Sequence, residues 1–198
     1  MPTSQEQALA VADWRRRVHR LYADVQAARS PEQAHTTWVA GRSSLFAWHP
    51  ASPRREGQAM RHAAYDPAMR FTLPLLPADD DVWVYDSGTD GAVPFARVGA
   101  FDVPGVGRLD VWWLESYGGG LFVPVKDPSP ETYGAGRYVL DTVKGADLGR
   151  VGEDWVLDLN FAYNPSCVYD PAWACPLAPA GNLVDTPLPV GELLPDGR

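Results

Sequence analysis

Cysteine is scarce in this chain: Cys167 and Cys175 are the only two among 198 residues. The disulfide framework that staples small secreted domains is therefore missing. Long apolar runs are missing as well, since no stretch of about 18 apolar residues is available to span a bilayer. The opening residues, MPTSQEQALAVADWRRR, place their arginines after the apolar positions. That order is the reverse of a secretory leader, and it gives the expectation of a cytoplasmic protein. Histidine is limited to His19, His35, His49 and His62, none of them in a HEXXH pair, and His19 and His62 read as solvent-side residues. Gly-x-Ser-x-Gly, Walker and Rossmann signatures are absent. Gly134-Ala135-Gly136-Arg137 is too short, and lies between β-like runs, so it does not read as a phosphate cradle. No internal repeat or low-complexity segment is present.

Positive charge is also in short supply, with 17 basic residues against 25 acidic ones and a net charge of −8. The imbalance is uneven: residues 1–62 carry nine Arg against five acidic residues, and residues 63–198 carry eight basic against 20 acidic. Binding to nucleic acid needs a concentrated basic surface, so nucleic acid is not expected as a partner. Arg15 to Arg17 read instead as the solvated side of a helix.

What the chain does have is apolar and aromatic mass: 45% hydrophobic residues, with eight Trp and eight Tyr. A single domain of this length buries roughly 70% of the surface its unfolded chain exposes. Ser4 with Gln7 forms a capping-box pattern, and Trp14, Val18, Leu21 and Val25 follow at helical spacing. A first helix is expected to run to about Arg29. Ser30-Pro31-Glu32-Gln33 repeats the start signal, and His49-Pro50 ends a second helix near Trp48.

Beyond residue 62 the period shortens. MRFTLPLL, VWVYD, VPFARVGAFDV and RLDVWWLES alternate or run apolar, with turn signals at Ser87-Gly88, Asp90-Gly91, Pro104 to Gly107 and Gly118 to Gly120. The expected architecture is α+β, mainly β: one domain over 1–198, with N-terminal helices (1–50), an antiparallel, barrel-like or curled β meander (63–160) and a Pro-rich irregular cap (161–198). In RLDVWWLES both strand faces carry large apolar residues, which places that strand in a sandwich between two layers or along a cavity.

The block from Trp155 to Glu192 is the most unusual part of the sequence. Cys167 and Cys175 admit three readings: a short-loop disulfide worth under about 3 kcal/mol, part of a metal site, or two reduced thiols filling apolar space. No metal site and no cofactor is assigned; Cys167, Cys175 and His49 are the nearest candidates for metal ligands. Arg137, flanked by Tyr133 and Tyr138 and following two glycines, suits a bidentate grip on a planar anion. Asp158 and Asn160 share a strand face, and an inward Asp158 needs a partner, with Arg137 the expected one. Asn160, Tyr163 and Asn164 would complete a polar cluster able to orient a ligand, although Asn164-Pro165 equally fits a simple turn.

TYGAGRYVLD, LDLNFAYNPSC, ACPLAPAGNL and the final VGE together resemble a bacterial, actinobacteria-rich family of unknown function. Its hallmark runs T-Y-x-x-G-R-Y-L, D-F-N-x-A-Y-N-P-P-C, C-P-L-P-P-x-N and G-E. RSSLFAWHPASP and AYDPAMRF resemble further family pieces upstream. The matching positions are Tyr133, Gly136, Arg137, Tyr138, Asp158, Asn160, Tyr163, Asn164, Pro165, Cys167, Cys175, Pro176, Asn182 and Glu192, with His49 and Ser52 upstream; Leu159, Ser166 and Ala178 depart from the pattern. The resemblance implies a shared fold and names no reaction.

Three functions remain in view. The leading one is a binding module for a small organic molecule, anionic ones included, in a β-barrel pocket, contacted by Tyr133, Arg137, Asp158, Asn160, Tyr163 and Asn164. The second is a small enzyme using Arg137, Asp158 and His49 for acid-base or metal-assisted chemistry. The third is a structural or interaction protein without a pocket. No membrane partner is expected, and the oligomeric state is open.

Overall fold

The computed structural model describes residues 4–87 and 91–197; the turn signals at Gly88 and Asp90 lie outside them. Two helices come first, α1 (Gln5–Gln26) and α2 (Pro31–Trp48). Ser4 and Ser30 cap them as their spacing predicts, each side chain accepting from the backbone N–H three residues on, at 3.2 Å. The first helix stops at Gln26 rather than Arg29, because the chain must turn before Pro31 can open α2. The helices cross closely at Gly41, where an added Cβ would stand 2.5 Å from Leu21 Cδ1.

Ten strands follow among the described residues: β1 (Ala59–His62), β2 (Arg70–Leu73), β3 (Val82–Asp86), β4 (Ala92–Val103), β5 (Gly107–Leu114), β6 (Leu121–Val125), β7 (Arg137–Asp141), β8 (Arg150–Val151), β9 (Asp154–Asp158) and β10 (Glu192–Asp196). They form three antiparallel sheets rather than one, and none closes into a barrel. Strands β3 to β7 make the expected meander in sequence order; β2-β9-β8 and β1-β10 are separate sheets built by long-range pairing. The end of the irregular C-terminal segment thus becomes a strand, β10, beside β1.

The five-stranded sheet is a sandwich filling. One layer is aliphatic, packing Val103, Leu109, Val111, Val123 and Val125 against Leu157 of β9 and against Leu188 and Val190. The other is aromatic, with Trp112, Phe95, Phe122 and Tyr138 under Leu21, Tyr22, Val25 and Trp38 of the helices. Neighbouring Val111 and Trp112 point to opposite faces of β5 and are both buried, which explains a strand with large apolar side chains on both faces. Each such large apolar side chain contributes about 1.5–3 kcal/mol by leaving water. No helix among the described residues is long and apolar enough to cross a membrane.

Candidate functional site

The residues singled out in the sequence do not meet in one place. The expected Arg137–Asp158 pair is replaced by two separate pairs, because Arg137 finds a nearer acid in its own neighbourhood. Arg137, at the start of β7, is fully buried and donates to Asp127 at 2.9 Å. Its remaining terminal donors reach the carbonyls of Leu188 (2.8 Å), Glu192 (3.1 Å) and Val190. Asp127 in turn accepts from Leu188 N at 3.0 Å and from Ser129 and Thr132. Burial pulls the Arg137 pKa down and the Asp127 carboxylate pulls it back. The pair therefore grips the strap 188–192 by both backbone polarities.

The strap continues into a second buried cluster. Both carboxylate oxygens of Glu192 face the Arg42 guanidinium of α2, Oε2 at 3.2 Å, and Oε2 also accepts from Asn164 N at 2.7 Å. Asn164 Nδ2 donates to Leu193 O at 2.8 Å. His62, expected on the solvent side, has a side chain only 7% exposed, with Nε2 3.5 Å from Glu192 Oε1, because β1 turns it inward on pairing with β10. Burial alone would raise the Glu192 pKa, but the Arg42 charge, the nearby His62 ring and the hydrogen bonds from Arg42 hold it at about 2. Gly191 makes the approach possible: its φ is +72°, and an added Cβ would lie 2.5 Å from Ala162 O.

Asp158 lies elsewhere, at the end of β9. Its Oδ1 accepts from Asn160 N (3.0 Å) and Nδ2 (2.8 Å), and its Oδ2 receives the Tyr65 hydroxyl at 3.3 Å, with Arg70 Nε 3.7 Å away. Asn160 also exchanges two 2.8 Å bonds with the backbone of Asp66, pinning the segment before β2. Burial raises the Asp158 pKa, opposed by its bonds from Asn160 and by Arg70. His35 of α2 sits between Tyr65 and Phe161, its ring centroid 5.5 and 5.6 Å from theirs, and burial followed by the nearby His62 lowers its pKa.

Beside Asp158 a cleft of about 150 Å³ opens between the α1–α2 turn and β9, lined by Arg29, Ser30, Arg70, Val156, Asp158 and Phe161 among others. The Arg70 side chain is 31% exposed there.

The other expected site residues are accounted for individually. Tyr163 donates to Asp141 at 3.0 Å in the aromatic layer. Tyr133 places its hydroxyl 4.0 Å from Cys167 Sγ. His49 caps α2, its Nε2 3.2 Å from Asp13 and its Nδ1 accepting from Ala51 N, so it stands in a surface groove of the helical layer with Asp13 and Arg17. Among the described residues no group of three or more His, Cys, Asp or Glu side chains is arranged to hold a metal ion.

The model of a protein family described as "Protein of unknown function (DUF1684)" matches residues 58–193. The chain belongs to this family. Among solved structures, it resembles an uncharacterized protein of Haloarcula marismortui determined by solution NMR, at 26% identity and a TM-score of 0.52, over 78% of this chain and 89% of that one. No curated protein matches. In this DUF1684 member, Asp127, Arg137, Asp158 and Glu192 all fall inside the matched span, whereas Arg29 of the α1–α2 turn and His35 and Arg42 of α2 lie outside it. Arg70 and Tyr65, which complete the Asp158 cluster, stand in AYDPAMRF, one of the upstream strings that carried the family resemblance. That string was the available signal for them, as RSSLFAWHPASP, which opens on Arg42, was for Arg42; Asp127 had none.

Proposed function

We propose that the protein binds a small organic acid in the cleft beside Asp158, with Arg70 and Arg29 contacting the acid group. One observation carries this reading: two guanidiniums share a cleft with a buried carboxylate and keep donors free. Arg70 approaches Asp158 only at 3.7 Å, and Arg29 has no hydrogen bond or ion pair with any described residue. On a chain of net charge −8 such a local excess of cations favours an anion. A planar carboxylate matches the guanidinium fork. A cleft of about 150 Å³ takes a compact group, on the order of a benzene ring in size. The site keeps Asp158, with Asn160 fixing its carboxylate, and leaves Arg137, Tyr163 and Asn164 to hold the strap and the aromatic layer. The cytoplasmic setting expected from the sequence belongs to this proposal.

A panel of short mono- and dicarboxylates, followed by thermal shift, tests it. A binder at about 100 times its Kd adds about 2.7 kcal/mol to wild type, and Arg70→Ala removes that gain. If no carboxylate shifts the melting temperature, the reading fails. An enzymatic reading draws on one feature of the same cleft: Asp158, its pKa raised by burial, carries the Tyr65 hydroxyl, an arrangement able to move a proton. Turnover of a bound acid, lost in Asp158→Asn with binding retained, would distinguish it from simple binding.

A further inference from the structure

The two cysteines are unused by the strap and by the cleft, yet they stand together. Both are free thiols, Cys167 half-buried in the turn Ser166–Val168 and Cys175 buried, and they share a side-chain hydrogen bond. The backbone N–H groups of Ser166 and Cys167 also point at the Cys175 sulfur. The Tyr133 hydroxyl lies 4.0 Å from Cys167 Sγ, and Tyr138 donates to Pro176 O at 2.7 Å, fixing the chain beside Cys175. Tyr85 bonds the Cys175 backbone, and the Lys144 charge acts on Cys175.

We propose that Cys167 and Cys175 are a peroxide-reactive dithiol, in which Cys175 is oxidised first and Cys167 resolves it to a disulfide. Cys175 suits the first step because its sulfur receives three hydrogen bonds that stabilise a thiolate. The bond from Cys167, working against burial, together with those from the two backbone N–H groups, lowers its pKa to about 6, while the same neighbour and burial hold the Cys167 proton on. The Cys175 thiolate attacks one oxygen of hydrogen peroxide, breaking the O–O bond to give a sulfenic acid and hydroxide. Cys167 then attacks the sulfenic sulfur, forming the S–S bond and releasing water, its proton leaving with the oxygen. Sulfur is oxidised by two electrons and peroxide is reduced by two. A molecule as small as peroxide suits a thiol that is 8% exposed.

The test treats the reduced full chain at pH 7 with one equivalent of hydrogen peroxide and reads intact mass, free thiols and mapped peptides. The expected result is loss of both thiols and two hydrogens, reversed by dithiothreitol, with oxidation at least about tenfold faster than an ordinary thiol. Cys167→Ser is expected to accumulate a dimedone-reactive sulfenic acid on Cys175, and Cys175→Ser to slow oxidation of Cys167 by about tenfold or more. Should either variant fail to fold, alkylation of wild type against pH, mapped by residue, serves instead, with Cys175 half-reacting near pH 6. Both thiols surviving the peroxide, over-oxidation without a disulfide, or ordinary alkylation midpoints for both cysteines would overturn the proposal.

Discussion

Two arginine–aspartate pairs in this molecule share their chemistry and differ in everything around them. Arg137–Asp127 is sealed, with both side chains 1% exposed and the terminal donors of Arg137 committed to Asp127 or to strap carbonyls. Arg70–Asp158 is looser, at 3.7 Å, with the carboxylate buried and the guanidinium opening on a cleft. The difference teaches where a polar hallmark is structural and where it is free to meet something else. A pair whose terminal donors are answered by its own chain holds that chain; a pair with unanswered donors at a cavity can answer a ligand.

The sealed pair is the place to break the comparison hardest. Arg137→Leu leaves Asp127 buried without its cation and is expected to cost about 3–5 kcal/mol, read from urea unfolding. Adding Asp127→Leu is expected to recover part of that loss, and a double variant no more stable than the single would argue against an ion-pair clamp. Glu192→Gln comes next, at about 3 kcal/mol, because it strands Arg42. It also carries a pH signature. The folded carboxyl titrates at about 2 against a usual 4.5, so its stabilisation is complete above pH 4.5 and is lost as pH falls toward 2. Glu192→Gln is expected to flatten that acid limb in a series of melts.

Smaller effects sharpen the contrast. Asn160→Ala removes the bonds to Asp158 and to the Asp66 backbone and is expected to cost about 1–3 kcal/mol by the same unfolding assay. Arg70→Ala, at a part-exposed and screened pair, is expected to cost under about 1 kcal/mol while abolishing acid binding. An Arg70 variant as unstable as the Arg137 variant would erase the distinction between the two pairs.

Local signals were legible in the sequence, and long-range partners were not. Ser4, Ser30, Pro31 and His49-Pro50 marked the helices because capping acts within three or four residues. The glycine turns marked the meander of β3 to β7 for the same reason. The pairings of Thr72 with Val156 and of His62 with Glu192 join positions 84 and 130 residues apart and leave no local trace, so three sheets read as one and His62 read as exposed. Alternation put Asp158 and Asn160 on one strand face, whereas β9 ends at Asp158 and Asn160 bonds it from the 3-10 turn Leu159–Phe161. With 20 acidic residues after position 62, Arg137 had many possible mates, and Asp127, ten positions before it, is the one the fold supplies.

A single titration reaches the central claim: backbone amide shifts of the folded wild type followed by NMR as a short carboxylate is added. The account predicts saturable shifts at Arg29, Arg70, Asp158 and Phe161 and none at Arg137 or Leu188. Saturable shifts centred on Arg137 and the strap, or no saturable shift anywhere, would contradict it.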